Sequence, residues 1–93
     1  MTTKRYKSVW DAIGEDSATA ENLKIRAALM RKLVASITAT GMTQSEAAKR
    51  LGVTQPRISD LTRGKVDLFS IDSLVNMLSA VGLHVDIRVK KAS

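Results

Sequence analysis

A mostly helical single domain is what this sequence predicts, and three observations carry the prediction. Over long stretches the apolar residues recur at spacings of three and four, the repeat of one helix face. Gly41, Gly52, Gly64 and Gly82 each follow such a stretch, at the place where a left-handed residue ends a helix. The only aromatics are Tyr6, Trp10 and Phe69. The core must therefore come from Leu, Ile, Val, Met and Ala, a mixture that favours helices over a β-sandwich. With 93 residues, 44% of them apolar, there is material for one small domain. A chain of this size buries roughly 60 to 65% of its unfolded surface, so it is only modestly stable alone.

The formal net charge is +6. That balance suits a polyanionic partner, and it suits a merely solvated surface as well. The absence of cysteine removes disulfides and thiolate metal sites and fits a reducing cytoplasm. No run approaches the roughly 20 apolar residues of a membrane span. The opening MTTKRYKSVWD lacks the apolar core of a signal peptide. The chain reads as cytoplasmic, with no membrane partner.

Residues 1–18 read as an N-terminal arm, with basic Lys4, Arg5 and Lys7, apolar Tyr6, Val9, Trp10 and Ile13, and acidic Glu15 and Asp16. Val9, Trp10 and Ile13 have the spacing of a short helical turn that can dock on the body or on a partner. Packing of Trp10 on its own domain is the plainer alternative.

The body, residues 19–82, begins with a long amphipathic helix from about Thr19 to Thr40. Leu23, Ala27, Met30, Val34 and Ile37 keep one face, and Leu29 and Leu33 widen the stripe. Lys24, Arg26, Arg31 and Lys32 fall largely elsewhere, as a solvated face, with phosphate contact as the alternative. Thr43 then caps a short helix from Gln44 to about Leu51, and Glu46, three residues on, completes a capping box. Thr54 caps another that opens with Gln55-Pro56, where proline's missing N–H costs little because first-turn donors lack helical partners. Lys65 to Phe69 reads as a loop. Ser70 caps a further helix whose apolar set is Ile71, Leu74, Val75, Leu78 and Val81. Four to five helices are expected in all.

The last segment, residues 83–93, changes period. Leu83, Val85, Ile87 and Val89 alternate with His84, Asp86, Arg88 and Lys90, the two-residue repeat of a half-buried strand. One strand needs a partner for its backbone, and the rest of the chain offers no convincing second one. A second copy laid antiparallel about a two-fold axis is the economical solution, which predicts a homodimer paired through Leu83, Val85, Ile87 and Val89.

The stretch TQSEAAKRLGVTQPRISDLTRG has the parts of a helix-turn-helix. Such a unit needs a small residue where its helices touch and a turn of positive φ, supplied by Ala47 or Ala48 and by Gly52. Leu51, Val53, Ile58 and Leu61 have the spacing to face inward. Gln55 and Arg57 are the expected base readers, since Gln pairs with adenine and Arg with guanine, while Pro56 and Ser59 lie on the same exposed side. Gln44 and Ser45, at a helix start with exposed N–H groups, and Thr54, Arg63 and Lys65 are the expected phosphate contacts. Asp60 is repulsive towards DNA unless it accepts from a cytosine amino group or pairs with a nearby Arg, and it is left out of the expected contacts. A helical hairpin used only for packing is the bland alternative, and it leaves the exposed Gln and Arg residues without a purpose.

These residues resemble a known family. TQSEAAKRLGVTQPRISDLTRGK followed by FSIDSLVNMLSAVGLHVDI is similar to the Xre-like, lambda-repressor-like helix-turn-helix proteins, and most to their branch of HigA-type antitoxins, over roughly residues 6–90. The resemblance implies a lambda-repressor-like domain that binds double-stranded operator DNA as a homodimer. It places the positions of Gln44, Gln55, Pro56, Arg57 and Ser59 at the DNA. It further implies a ribonuclease-type toxin as protein partner and repression of the shared operon. Free-standing and prophage regulators with no toxin share the same core, and a protein-binding adaptor can be built on the same helices. An operator for such a dimer is expected to be palindromic, its half-sites about 34 Å apart.

An enzyme needs a constellation of groups, and the chain offers one histidine, no cysteine, no Gly-rich phosphate loop after a strand and no paired metal ligands. No catalytic residue, metal site or cofactor is expected, and His84 reads as an exposed residue of the terminal strand.

Overall fold

A computed structural model describes residues 17–91. The long helix α1 runs Ser17–Thr40, followed by the short helices α2, Gln44–Leu51, and α3, Gln55–Thr62. A single 3-10 turn, Val66–Leu68, leads to the last helix α4, Ile71–Ala80. The body thus starts two residues before the expected Thr19, and the turn lies where a plain loop was expected. The apolar turn expected at Val9 to Ile13, like nearly all of the arm, lies outside the described residues.

Local chemistry sets the helix boundaries. The Thr43 hydroxyl accepts from the Glu46 N–H (3.1 Å), and the Thr43 N–H donates to Glu46 Oε1 (2.9 Å), which satisfies two donors that the start of α2 would otherwise leave unpaired. Thr54 and Ser70 cap α3 and α4 through the N–H groups of Arg57 (3.3 Å) and Ser73 (3.0 Å). At the far end of α2, Gly52 sits at φ 72°. Its N–H reaches the Lys49 carbonyl and the Val53 N–H reaches that of Ala48, a Schellman closure that only a left-handed residue completes without strain. The ends of α3 and α4 close in the same way, through Lys65 N–H to Asp60 O and Leu83 N–H to Leu78 O.

The core is the junction of all four helices. Met30, Leu33 and Ile37 of α1, Ala47, Ala48 and Leu51 of α2, Ile58 and Leu61 of α3, and Leu74, Met77 and Leu78 of α4 are buried, together with Phe69. Helix α1 packs along α4 and also touches α3 and the 3-10 turn, while α2 packs on α3 and α4. Leu33 is wholly buried and so marks the centre of the α1 stripe rather than its margin. Buried small residues at Ala47 and Ala48 allow α2 to approach closely, as the sequence requires of this pair.

Residues 83–91 form neither helix nor strand. The expected strand over Leu83 to Val89 is absent from the described residues because no other segment there is extended beside it, and a strand without a ladder leaves its backbone unpaired. Val85 is the tail residue that packs against the core. Leu83 is partly exposed, and Ile87 and Val89 are 82% and 89% exposed.

Candidate nucleic-acid interface

Helices α2 and α3 and the glycine turn between them form the candidate site. Burial of Ile58 and Leu61 fixes the roll of α3. By helical spacing this turns Pro56, Ser59 and Arg63 away from the core, with Gln55 beside them one turn before Ser59. Gln55, Pro56 and Arg63 are exposed and Ser59 is half-buried. Gln44, Ser45 and Thr54 are exposed at the two helix starts. The Thr54 hydroxyl is already occupied as a cap acceptor, yet an exposed hydroxyl retains a donor for a phosphate oxygen. Pro56 has no N–H to offer and instead stiffens the first turn of α3.

Arg57 departs from the expected arrangement. Its guanidinium lies over the Phe69 ring, 4.0 Å from the centroid, and Nη1 donates to the Leu68 carbonyl at 2.8 Å. The residue is half-buried and directed at the turn after α3, away from the side that carries Pro56 and Arg63. A cation over an aromatic face with a charge-assisted hydrogen bond is favourable, which is the physical reason for the inward pose. Base reading from this pose would require Arg57 to leave both partners.

Arg26 shows the same behaviour from the other side. Expected on a solvated face of α1, it is half-buried and Nη1 donates to the carbonyls of Phe69 (3.2 Å) and Val66 (3.4 Å). Its Nε is buried without a partner. Two arginines from two helices therefore hold the backbone of one turn, and Phe69, almost wholly buried, plugs it into the core. The one available signal was that Phe69 is the only phenylalanine in an aromatic-poor chain, a residue that costs much to leave exposed.

Asp60 resolves without a base. Its carboxylate stands 3.6 Å from Lys65 Nζ, both groups partly exposed. This removes part of the repulsion Asp60 would offer to DNA and part of the positive field expected of Lys65. Arg63 carries no such partner among the described residues. At the opposite end of α2, Arg50 Nε donates to the Ala80 carbonyl (3.4 Å), placing a cation at the carbonyl end of α4 where the helix dipole favours it.

Comparison with known proteins agrees with this geometry. A sequence family described as a helix-turn-helix domain matches residues 13–90. The solved structure of a "Putative XRE Family Transcriptional Regulator" superposes with a TM-score of 0.73 at 34% identity, over 78% of this chain and 82% of that one. The chain belongs to the XRE-like helix-turn-helix family. No curated protein matches it. In this XRE-like protein the resemblance of the central stretch and the observed packing of α2 on α3 coincide over the same residues, with the closure at Gly52 between the two helices and that at Gly64 ending the unit. Among the described residues no helix is long and apolar enough to cross a membrane.

Proposed function

We propose that this XRE-like protein is a sequence-specific, DNA-binding transcriptional regulator that inserts α3 into the major groove, binds a palindromic operator as a homodimer and represses transcription from it. The observation that carries the reading is α3 itself. It is locked by Ile58 and Leu61 in the core and presents Gln55, Pro56 and Arg63 outward, on a chain of net charge +6. Gln55 is the base reader of this proposal, with Ser59 beside it. Gln44, Ser45, Thr54, Arg63 and Lys65 hold phosphates and set the register of the helix on the duplex. Arg57 acts one step back, as a positioning residue for the start of α3.

A gel-shift titration against the DNA upstream of its own gene tests the reading. Affinity should fall steeply with salt, since each neutralised phosphate releases counterions. Gln55→Ala should relax preference at one base pair by roughly 1 to 3 kcal/mol, whereas Arg63→Ala should weaken all sequences about equally. Binding that ignores both salt and sequence would overturn the regulator.

The finer reading, an antitoxin of a two-gene pair, is supported by the resemblance of the central stretch and of FSIDSLVNMLSAVGLHVDI to HigA-type antitoxins. It predicts that the product of an adjacent gene inhibits growth when expressed alone and forms a stable complex with this protein. Unimpaired growth would leave a stand-alone regulator instead.

A further inference from the structure

Beyond Leu83 the backbone of the tail makes no hydrogen bond among the described residues. Among the described residues its last recorded backbone bond is Leu83 N–H to the Leu78 carbonyl, 2.9 Å. The side chains of Leu83, Val85, Ile87 and Val89 alternate with polar ones, and Ile87 and Val89 are among the most exposed large apolar residues described. Beside them lies a mainly apolar groove of about 370 Å³ between α1 (Ile25, Leu29) and α4 (Ile71, Val75), its tail side formed by Val85, Asp86, Ile87 and Arg88. A segment of period-two alternation whose backbone beyond Leu83 has no partner among the described residues, next to an open apolar seat, is a template for strand addition.

We propose that the occupant is the same tail of a second copy, antiparallel about a two-fold axis through Ile87, with Asp86 of each copy opposite Arg88 of the other. The inference rests on the homodimer proposed above and deepens it by fixing the register. Period and charge select that register. A slip by one residue sets apolar side chains opposite polar ones and turns one tail's apolar face outward. That leaves the registers in which one residue faces itself on the axis. An axis at Asp86 opposes two carboxylates, and an axis at Arg88 opposes two guanidinium groups, both unfavourable directly across a ladder. An axis at Val85 sets Val89 of one copy opposite Val81 of the other, and Val81 is the cap of α4 at φ −100°, ψ 16°, outside any extended ladder. An axis at Ile87 pairs every residue from 83 to 91. It makes two Asp86–Arg88 pairs, and it sets the exposed Val89 of one copy beside Val85 of the other, the tail residue already seated on the core. Among the described residues Asp86 meets only His84, Nε2 to Oδ1 at 3.1 Å, with both side chains almost fully exposed. That contact joins two side chains of the tail itself and uses no backbone group of the proposed ladder.

The chain has no cysteine, so single introduced cysteines report the register directly. Opposed residues of an antiparallel pair lie about 4.5 to 5.5 Å apart at Cα, within the span of a disulfide. Under mild oxidation Ile87→Cys should form a covalent dimer that reductant reverses, and a mixture of Val85→Cys and Val89→Cys chains should cross-link to each other far more than either does alone. Asp86→Arg and Arg88→Asp should each weaken dimerisation in sedimentation by roughly tenfold, and the double variant should recover it. Rapid cross-linking of Val85→Cys alone, or a double variant no tighter than the single ones, would overturn this register while leaving a dimer in place. Sedimentation as a monomer at concentrations that saturate operator DNA would overturn the dimer itself, and the gel shift would still report on DNA binding separately.

Discussion

The reading unit and the terminal tail both announce themselves by periodicity, yet one is complete within the chain and the other is not. In α2 and α3 every local signal is answered by a partner in the same molecule: Thr43 by Glu46, Thr54 by the Arg57 N–H, Gly52 and Val53 by the last carbonyls of α2, Ile58 and Leu61 by the core. In the tail the alternation from Leu83 to Val89 is just as regular, but only Val85 finds the core. The difference teaches that a helix satisfies its own backbone and needs a neighbour only for one face, whereas a strand needs a neighbour for its backbone too.

The contrast can be broken at its strong end and probed at its weak one. Phe69→Ala should cost the most, about 3 to 5 kcal/mol in denaturant melts, because it empties the core and removes the ring under Arg57. Arg57→Ala should lower stability by about 1 to 2 kcal/mol and weaken binding to all operator variants alike; a loss of preference at one base pair instead would restore it as a reader. Gly52→Ala should cost about 1 to 2 kcal/mol. A Cβ there meets nothing within 4 Å, so the left-handed backbone is the whole of that cost. Thr43→Ala should cost about 1 kcal/mol through the lost cap. Val89→Ser should change the melting of dilute monomer by less than about 0.5 kcal/mol while reducing self-association. A large melting shift in that variant would mean the tail is already part of the domain.

Most of the helical body was legible because its punctuation is local. Thr43 with Glu46, Gln55 with Pro56 and the glycines act within a few residues, and the structure places each of the four α-helices within two residues of its expected bounds. The positions of Gln55, Pro56 and Arg63 followed from the same spacing. What escaped were arrangements set by distance in sequence: Arg26 and Arg57 are 40 or more and 11 residues from the carbonyls they hold. An arginine in a basic, exposed-looking helix gives no sign of which backbone it will reach. The terminal strand failed for a related reason: alternation from Leu83 to Val89 predicts a strand, but a strand forms only beside a second one, and among the described residues none lies there.

The clamp at the turn after α3 has a consequence for how the protein tolerates change. Arg26 and Arg57 grip carbonyl oxygens, which every amino acid supplies, while Asp67 and Leu68 point their side chains to solvent. Residues 67 and 68 can therefore be exchanged for almost any non-proline residue without loosening the grip. The surface chemistry of that turn can be rewritten while the angle of α3 stays as it is.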